Sequence, residues 1–242
     1  MSHYALITGG TKGIGYSVAK CLGRMGYNLL LTFRTDTVGA QQSCAELQNE
    51  FKVEATAIQA DSTDREAIEI VSNHIINNNI RLDVVLFNAG ITCRNSFEDT
   101  MLEDWERVFF ANVHFPVFLL QRLIGTINNG GSVIFTGSLM GILPHAQSLP
   151  YGVTKAAVHA LVTNLVKFLA PKRIRVNAVA PGFVNTGWQK NKPVEIRKNI
   201  EHKIALERFC EPDELAGIYQ LLIENTYING EIIIADGGYS YK

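Results

Sequence analysis

The 242-residue chain is poor in the features that would send it to a metal, a membrane or a polyanion. Its four cysteines, Cys21, Cys44, Cys93 and Cys210, form no Cys-x-x-Cys pair and no metal-ligand grouping. They read as reduced thiols of a cytoplasmic protein, and no metal site is expected. Charge of neither sign dominates: 22 Lys and Arg stand against 23 Asp and Glu, a net −1, and the cations are scattered rather than striped. Steering toward nucleic acid or a membrane surface is therefore not expected. No apolar run approaches the ~18–20 residues that span a bilayer. The N-terminus enters an apolar strand at Tyr4–Thr8 without a charged leader. Internal repeats and low-complexity linkers are also missing. What is present is 47% hydrophobic sequence, enough to bury one large core.

Short apolar runs alternate with helical patterns from end to end. The runs fall at 4–8, 28–33, 53–60, 82–87, 132–136, 174–180 and 230–235, with helix-like segments near 14–26, 38–50, 64–78, 102–124, 152–169 and 212–224. Near-continuous apolar strands between helices predict a parallel sheet covered on both faces. Right-handed crossovers then give a doubly wound (Rossmann) α/β fold of about seven strands, one domain over residues 1–242. Helix starts are legible at Thr63 and Asp64, and at Pro212 followed by Asp213 and Glu214. The segment 185–205 is polar, carries Pro193 and reads as a long loop of the kind that serves as a lid.

The first run leads into TGGTKGIG (8–15). Gly9, Gly13 and Gly15 let the backbone turn tightly and approach a pyrophosphate, whose charge meets a helix N-terminus. The G-x-G-x-x-G pattern itself fails, because its last position lands on Val18; what stands is G-x-x-x-G-x-G. A turn that needs glycine only for packing would look the same. At the end of the second run, where an acidic residue would meet a ribose 2′-hydroxyl, the chain has Phe33 and then Arg34. Lys12 lies in the glycine loop facing the same region. Two cations attract a 2′-phosphate, so NADP(H) is the expected cofactor.

Tyr151 and Lys155 sit four residues apart in PYGVTKAAVHALVTNLVKFLA (150–170), so on a helix they share a face. A cation ~4–6 Å from a phenol favours phenolate by about 3–4 kcal/mol and lowers its pKa by roughly two to three. That tuning suits general acid–base work near neutrality. Such a pair also occurs by chance on amphipathic helices.

With both motifs in place the chain resembles the short-chain dehydrogenase/reductase superfamily over about residues 4–240, most closely the 3-oxoacyl-(acyl-carrier-protein) reductase group. TGGTKGIG matches the family's cofactor loop, Asp61 in ADSTD the acid that caps the third strand against the adenine, and FNAG (87–90) the Asn-Asn-Ala-Gly motif. Asn112 in ANVHF matches the structural and catalytic asparagine. Ser138 precedes Tyr151 by the usual 13 residues, and PGFVNT (181–186) matches the Pro-Gly segment at the nicotinamide end. Phe87 departs from the family's first Asn, and LIGTINNGG (123–131) lacks the basic cluster common in carrier-protein reductases, leaving Lys172 and Arg173 as contacts for an acidic carrier protein.

The resemblance implies a NADPH-dependent carbonyl reductase. Tyr151 would donate its proton to the carbonyl oxygen as hydride reaches the carbon. Lys155 would favour the phenolate and bind the nicotinamide ribose, and Ser138 would hydrogen-bond the substrate oxygen. Asn112 would hold a water linking Lys155 to solvent. Cofactor contacts would come from Gly9, Thr11, Lys12, Gly13, Ile14, Gly15, Arg34, Asp61, Ser62, Asn88, Ala89, Gly90, Tyr151, Lys155, Pro181, Gly182, Val184 and Thr186. His145 and His159 have no carboxylate or nucleophile at a telling spacing and read as non-catalytic. Phe183, Trp188, Met140, Leu143 and Leu149 are candidates for the substrate pocket. Helices 102–124 and 152–169 are apolar over more than one face, and the resemblance implies a homotetramer that buries them. Two alternatives stand beside the reductase: a sugar, polyol or secondary-alcohol dehydrogenase on the same scaffold, and a cofactor-binding regulator without catalysis.

Overall fold

Every apolar run becomes a strand in the computed structural model, which describes residues 2–189 and 192–242. The strands are β1 (Tyr4–Thr8), β2 (Asn28–Phe33), β3 (Ala55–Gln59), β4 (Leu82–Phe87), β5 (Ile127–Thr136), β6 (Arg175–Pro181) and β7 (Ile232–Ala235). The helices are α1 (Gly13–Arg24), α2 (Thr37–Phe51), α3 (Glu66–Asn77), α4 (Leu102–Phe109), α5 (Phe115–Leu123), α6 (Leu149–Leu169), α7 (Val194–Lys203) and α8 (Pro212–Glu224). All strands pair in parallel in the order β3-β2-β1-β4-β5-β6-β7.

Both faces of the sheet are covered, which is why β1, β2 and β4 read as unbroken apolar runs. Val18 and Leu22 of α1, Leu47 of α2, and Leu215 and Tyr219 of α8 fill one side. Val71 and Ile75 of α3, Leu119 and Leu123 of α5, and Val158 and Val162 of α6 fill the other. Strand order reverses between β1 and β4, so a crevice opens beyond their C-terminal ends. Register brings Thr8 beside Phe87, Phe87 beside Phe135, and Thr136 beside Val179 at that end.

The structure departs from the sequence reading in three places. The segment 185–205 is not one long loop, because α7 occupies Val194–Lys203 after Pro193. This helix has no apolar stripe. Glu195 in its first turn and His202 and Lys203 in its last suit the helix dipole. Arg197 pairs with Glu201 at 2.9 Å and lies 4.3 Å over the Phe209 ring. The helix expected at 102–124 is broken by a π turn at Phe110–His114. Pro116 has no N–H to return to the Asn112 carbonyl four residues back, so the ordinary ladder cannot continue there. Finally, α6 with its following turn (Leu149–Lys172, 24 residues, mean hydropathy 1.2) is long and apolar enough by length and composition to cross a bilayer. It lies on the sheet instead, with Val158, Val162 and the side chain of Lys155 buried.

Candidate active site

Hydrogen bonds tie the strand ends together at the crevice. The buried Thr8 Oγ1 accepts the N–H groups of Asn88 (3.0 Å) and Ala89 (3.1 Å). Asn88 Nδ2 donates to the carbonyls of Thr8 (3.2 Å) and Gly9 (3.1 Å), and Thr136 Oγ1 donates to Asn88 Oδ1 (3.3 Å). A Cβ on Gly15 would lie 2.3 Å from the Gly9 carbonyl oxygen and 2.7 Å from Asn88 Nδ2, so only glycine fits beneath this knot. Phe87 takes no part in it. It is 4% exposed and packs on Phe135 with ring centroids 5.0 Å apart, an apolar substitute for the family's polar contact.

The glycine loop faces the Pro-Gly segment, since a Cβ on Gly13 would reach 3.2 Å from Thr186 Cγ2. Thr11 is buried and Ile14 half-buried behind the loop. The first turn of α1 has neither a side-chain cap nor an acidic residue, which leaves its N–H groups for an anion. Pro181 ends β6, the Gly182 N–H donates to the Ala235 carbonyl (2.9 Å), and the Thr186 N–H donates to that of Val184 (2.9 Å). Val184 itself is buried and bridged to Cys210.

Beyond β2 the two cations are not alone. Lys12 Nζ lies 2.6 Å from Asp36 Oδ2, and Arg34 Nε lies 3.9 Å from Asp61 Oδ2. Asp36 was not among the expected residues. It caps α2 by accepting the Gly39 N–H at 3.0 Å, a signal that Asp36-x-x-Gly39 carries in the sequence. The Lys12 ammonium holds its carboxyl below the usual range. Asp61 Oδ1 accepts the Thr63 N–H and hydroxyl, both at 2.9 Å, with Ser62 half-buried beside it. The picture of two cations meeting a phosphate unopposed is thus corrected: each already faces a carboxylate.

At the other end of the crevice, α6 presents Tyr151 and Lys155. Lys155 is 5% exposed, donates from Nζ to the Thr136 carbonyl at 2.7 Å, and lies 5.5 Å from the centroid of the Tyr151 ring. Burial pulls its pKa down to about 8. The Tyr151 phenol is pushed up to about 12 by burial, against a downward pull from the Ser138 hydroxyl. This reverses the lowered phenol expected from spacing alone. The ammonium sits over the ring and points at a carbonyl, and the low-dielectric pocket disfavours phenolate and ammonium alike.

Ser138 Oγ also accepts the Met140 N–H at 3.1 Å, capping the turn Leu139–Gly141. Asn112, in the π turn, brackets Ile91: Oδ1 accepts its N–H (2.9 Å) and Nδ2 donates to its carbonyl (3.0 Å) and to Thr154 Oγ1 (3.0 Å). A Cβ on Gly90 would lie 3.1 Å from Asn112 Oδ1 and 3.7 Å from Lys155 Nζ, so the three groups meet there. Both N–H groups of the Asn112 amide are engaged, and it positions the chain beside Lys155.

His159 reads as non-catalytic in the sequence. One turn beyond Lys155, its Nε2 accepts the Ser138 N–H at 3.4 Å. Burial, then the Lys155 charge, lower its pKa to about 4, so it is neutral at physiological pH. A Cβ on Gly137 would lie 2.3 Å from that nitrogen, and the bare strand end is what lets the imidazole in. The pocket candidates divide. Trp188 packs on Tyr151 with centroids 5.7 Å apart, whereas Phe183 joins Phe209 and Tyr239. Met140 and Leu143 are half-buried, and Leu149 is exposed. His145 lies in the loop before α6, its Nδ1 accepting the Gln147 N–H at 3.2 Å.

Known proteins match the sequence and fold of the chain along nearly its whole length. The family profile described as Enoyl-(Acyl carrier protein) reductase covers residues 9–240. A 3-oxoacyl-(acyl-carrier-protein) reductase of Aquifex aeolicus is 31% identical over 97% of this chain and 96% of its own. An uncharacterised oxidoreductase of Bacillus subtilis is 31% identical over 99% of both. Among solved structures, a short-chain dehydrogenase of Burkholderia cenocepacia in complex with NADP is 28% identical, covers 98% of each chain and superposes with a TM-score of 0.91. A short-chain dehydrogenase/reductase of Serratia marcescens gives 27%, 98% of each chain and 0.92. With sequence and fold agreeing from the glycine loop to the last strand, the chain is an oxidoreductase of the short-chain dehydrogenase/reductase superfamily, similar to its 3-oxoacyl-(acyl-carrier-protein) reductases.

Proposed function

We propose that the protein reduces a ketone to a secondary alcohol with NADPH. The observation that carries this reading is the convergence of Tyr151, Ser138 and a buried Lys155 at the crevice where the strand order reverses. Tyr151 gives its proton to the carbonyl oxygen. Ser138 donates a hydrogen bond to the same oxygen, a contact that strengthens as negative charge develops. Lys155 stabilises the phenolate left behind, and Asn112 holds the Gly90–Ile91 chain against it. NADPH, when bound, supplies the hydride.

The donor set suits that cofactor. The uncapped start of α1 would take the pyrophosphate, and Lys12 with Arg34 would take the 2′-phosphate in competition with Asp36 and Asp61. The NADP complex of the Burkholderia relative supports the choice. Ser62 and Asp61 would meet the adenine, and Pro181, Gly182, Val184 and Thr186 the nicotinamide end.

An acyl-carrier-protein substrate has less support than a small ketone. Lys172 Nζ is taken by the Ile124 carbonyl at 2.8 Å, and 123–131 offers no basic cluster. That observation favours the second reading, a secondary-alcohol or polyol dehydrogenase using the same residues. The outer face of α6, with Leu149, Val153 and Phe168 exposed, and Phe118 on α5 support self-association through these helices, which we read as a homotetramer. The test is NADPH consumption against acetoacetyl-thioester, diketone, quinone and sugar-derived ketones. Turnover of a ketone supports the reading. Cofactor binding without turnover across that panel would favour the regulator.

A further inference from the structure

The mouth of the site holds two cations that form no ion pair among the described residues. Arg94 stands on the segment that follows Gly90 and Ile91. Its Nη2 donates to the Trp188 carbonyl at 3.5 Å, and the Trp188 ring is the one that packs on Tyr151. Lys192 comes off the same turn, its N–H donating to the Gln189 carbonyl at 3.1 Å. Lys192 is half-buried, and its pKa is held below the ordinary lysine value by burial first and by the Arg94 charge second.

The far end of the crevice differs in charge. There Lys12 and Arg34 each face a carboxylate. At the mouth, a half-buried Lys192 feels the charge of the exposed Arg94, and an anion placed between them would relieve that repulsion. Beside them the Trp188 ring is 45% exposed and packs on the Tyr151 phenol ring. A ligand reaching from Tyr151 along Trp188 would end at the guanidinium.

We propose that Arg94 and Lys192 bind an anionic group of the substrate, a carboxylate or a phosphate, so that the ketone reduced at Tyr151 carries that charge at its end remote from the carbonyl. The inference rests on the reading of Tyr151 as proton donor, and it narrows the substrate class within it. Arg94 offers a planar fork suited to two oxygens, and Lys192 adds a point charge.

The test compares matched ketones with and without the charge. One pair is a keto acid whose carboxylate lies at the chain end remote from the ketone, with its methyl ester; the other is a phosphorylated hydroxyketone and its dephosphorylated form. The expected result is a kcat/KM at least about 10-fold higher for the charged member of one pair, weakening as sodium chloride is raised. Which pair shows it identifies the anion. Arg94→Gln and Lys192→Gln should each lower the charged-to-neutral ratio by about 10-fold, equivalent to ~1.4 kcal/mol. A ratio near one, or one that both substitutions leave in place, would overturn the proposal.

A second measurement is independent of turnover. Inorganic phosphate and malonate are titrated against tryptophan fluorescence at constant ionic strength. A saturable change that Arg94→Gln abolishes supports the site. No saturable change with either anion contradicts it, even where the wild-type enzyme reduces neutral ketones. If both anions bind saturably but no ketone is reduced, the anion site stands and the reading of Tyr151 fails.

Discussion

Replacing Lys155 by Met should make the folded protein more stable at pH 7 while it abolishes turnover. The amine has an ordinary pKa of 10.5 and is held at about 8 in the fold, because its site strips water from the charge. At ~1.4 kcal/mol per pH unit, keeping the proton there costs roughly 3 kcal/mol. Part of the gain from removing the charge is lost with the hydrogen bond to the Thr136 carbonyl, which is left without its donor. About 1–2 kcal/mol of net stabilisation is expected. The pH dependence separates this cause from better packing. Below pH 8 both folded and unfolded chains carry the proton, and the penalty is complete. Between 8 and 10.5 the folded amine has released its proton and the unfolded one has not, so wild-type stability rises with pH and the penalty disappears above that window. Urea unfolding of both proteins at pH 7 and pH 9.5 is the assay. The advantage of the Met variant should shrink at the higher pH. An advantage that does not change with pH, or a variant less stable than wild type at pH 7, would refute the reasoning.

Other outcomes follow from the same geometry. Carbonyl reduction should slow as pH rises through about 8, where Lys155 loses its proton, and a pH–kcat profile in the reductive direction checks this. Asp36→Asn keeps the cap on α2 but frees Lys12, so the KM for NADPH should fall several-fold with kcat little changed. Arg34→Asp with Lys12→Ala should turn preference toward NADH, and steady-state kinetics with both cofactors would expose an unchanged ratio. His159→Leu leaves the Ser138 N–H without its acceptor and should lower kcat about 10-fold, whereas His159→Gln should restore much of it. Equal losses in the two variants would show that the imbalance is one of packing.

Much of this architecture was legible because the physics is periodic. Short, near-continuous apolar runs such as NLLLTF and LDVVLF read as strands covered on both faces, and they became β2 and β4 without change of limits. The glycine loop, Ser138, Tyr151 and Lys155 were legible through spacing and through resemblance. What escaped was non-periodic. Helix α7 is held by charge pairing and a cation over an aromatic ring rather than by an apolar stripe, so a search for hydrophobic faces passes over it. The strand β5 begins at Ile127, through a glycine-bearing irregularity in its pairing with β4 that propensity argues against. Asp36 acts through a helix cap and an ion pair, and His159 through the Ser138 N–H, contacts that residue spacing does not report. The phenol was misjudged because the spacing of a Tyr–Lys pair reports proximity but not desolvation, and here desolvation is the larger effect.

In the proposed reaction Tyr151 delivers the proton while NADPH provides the hydride. It is tested most directly by comparing wild type and Tyr151→Phe for NADPH binding by fluorescence titration and for NADPH oxidation with the best ketone of the panel. The Phe variant should bind NADPH within a few-fold of wild type and turn over about 10³-fold more slowly, on the order of a lost general acid. A Phe variant that oxidises NADPH at a rate near that of wild type would contradict it.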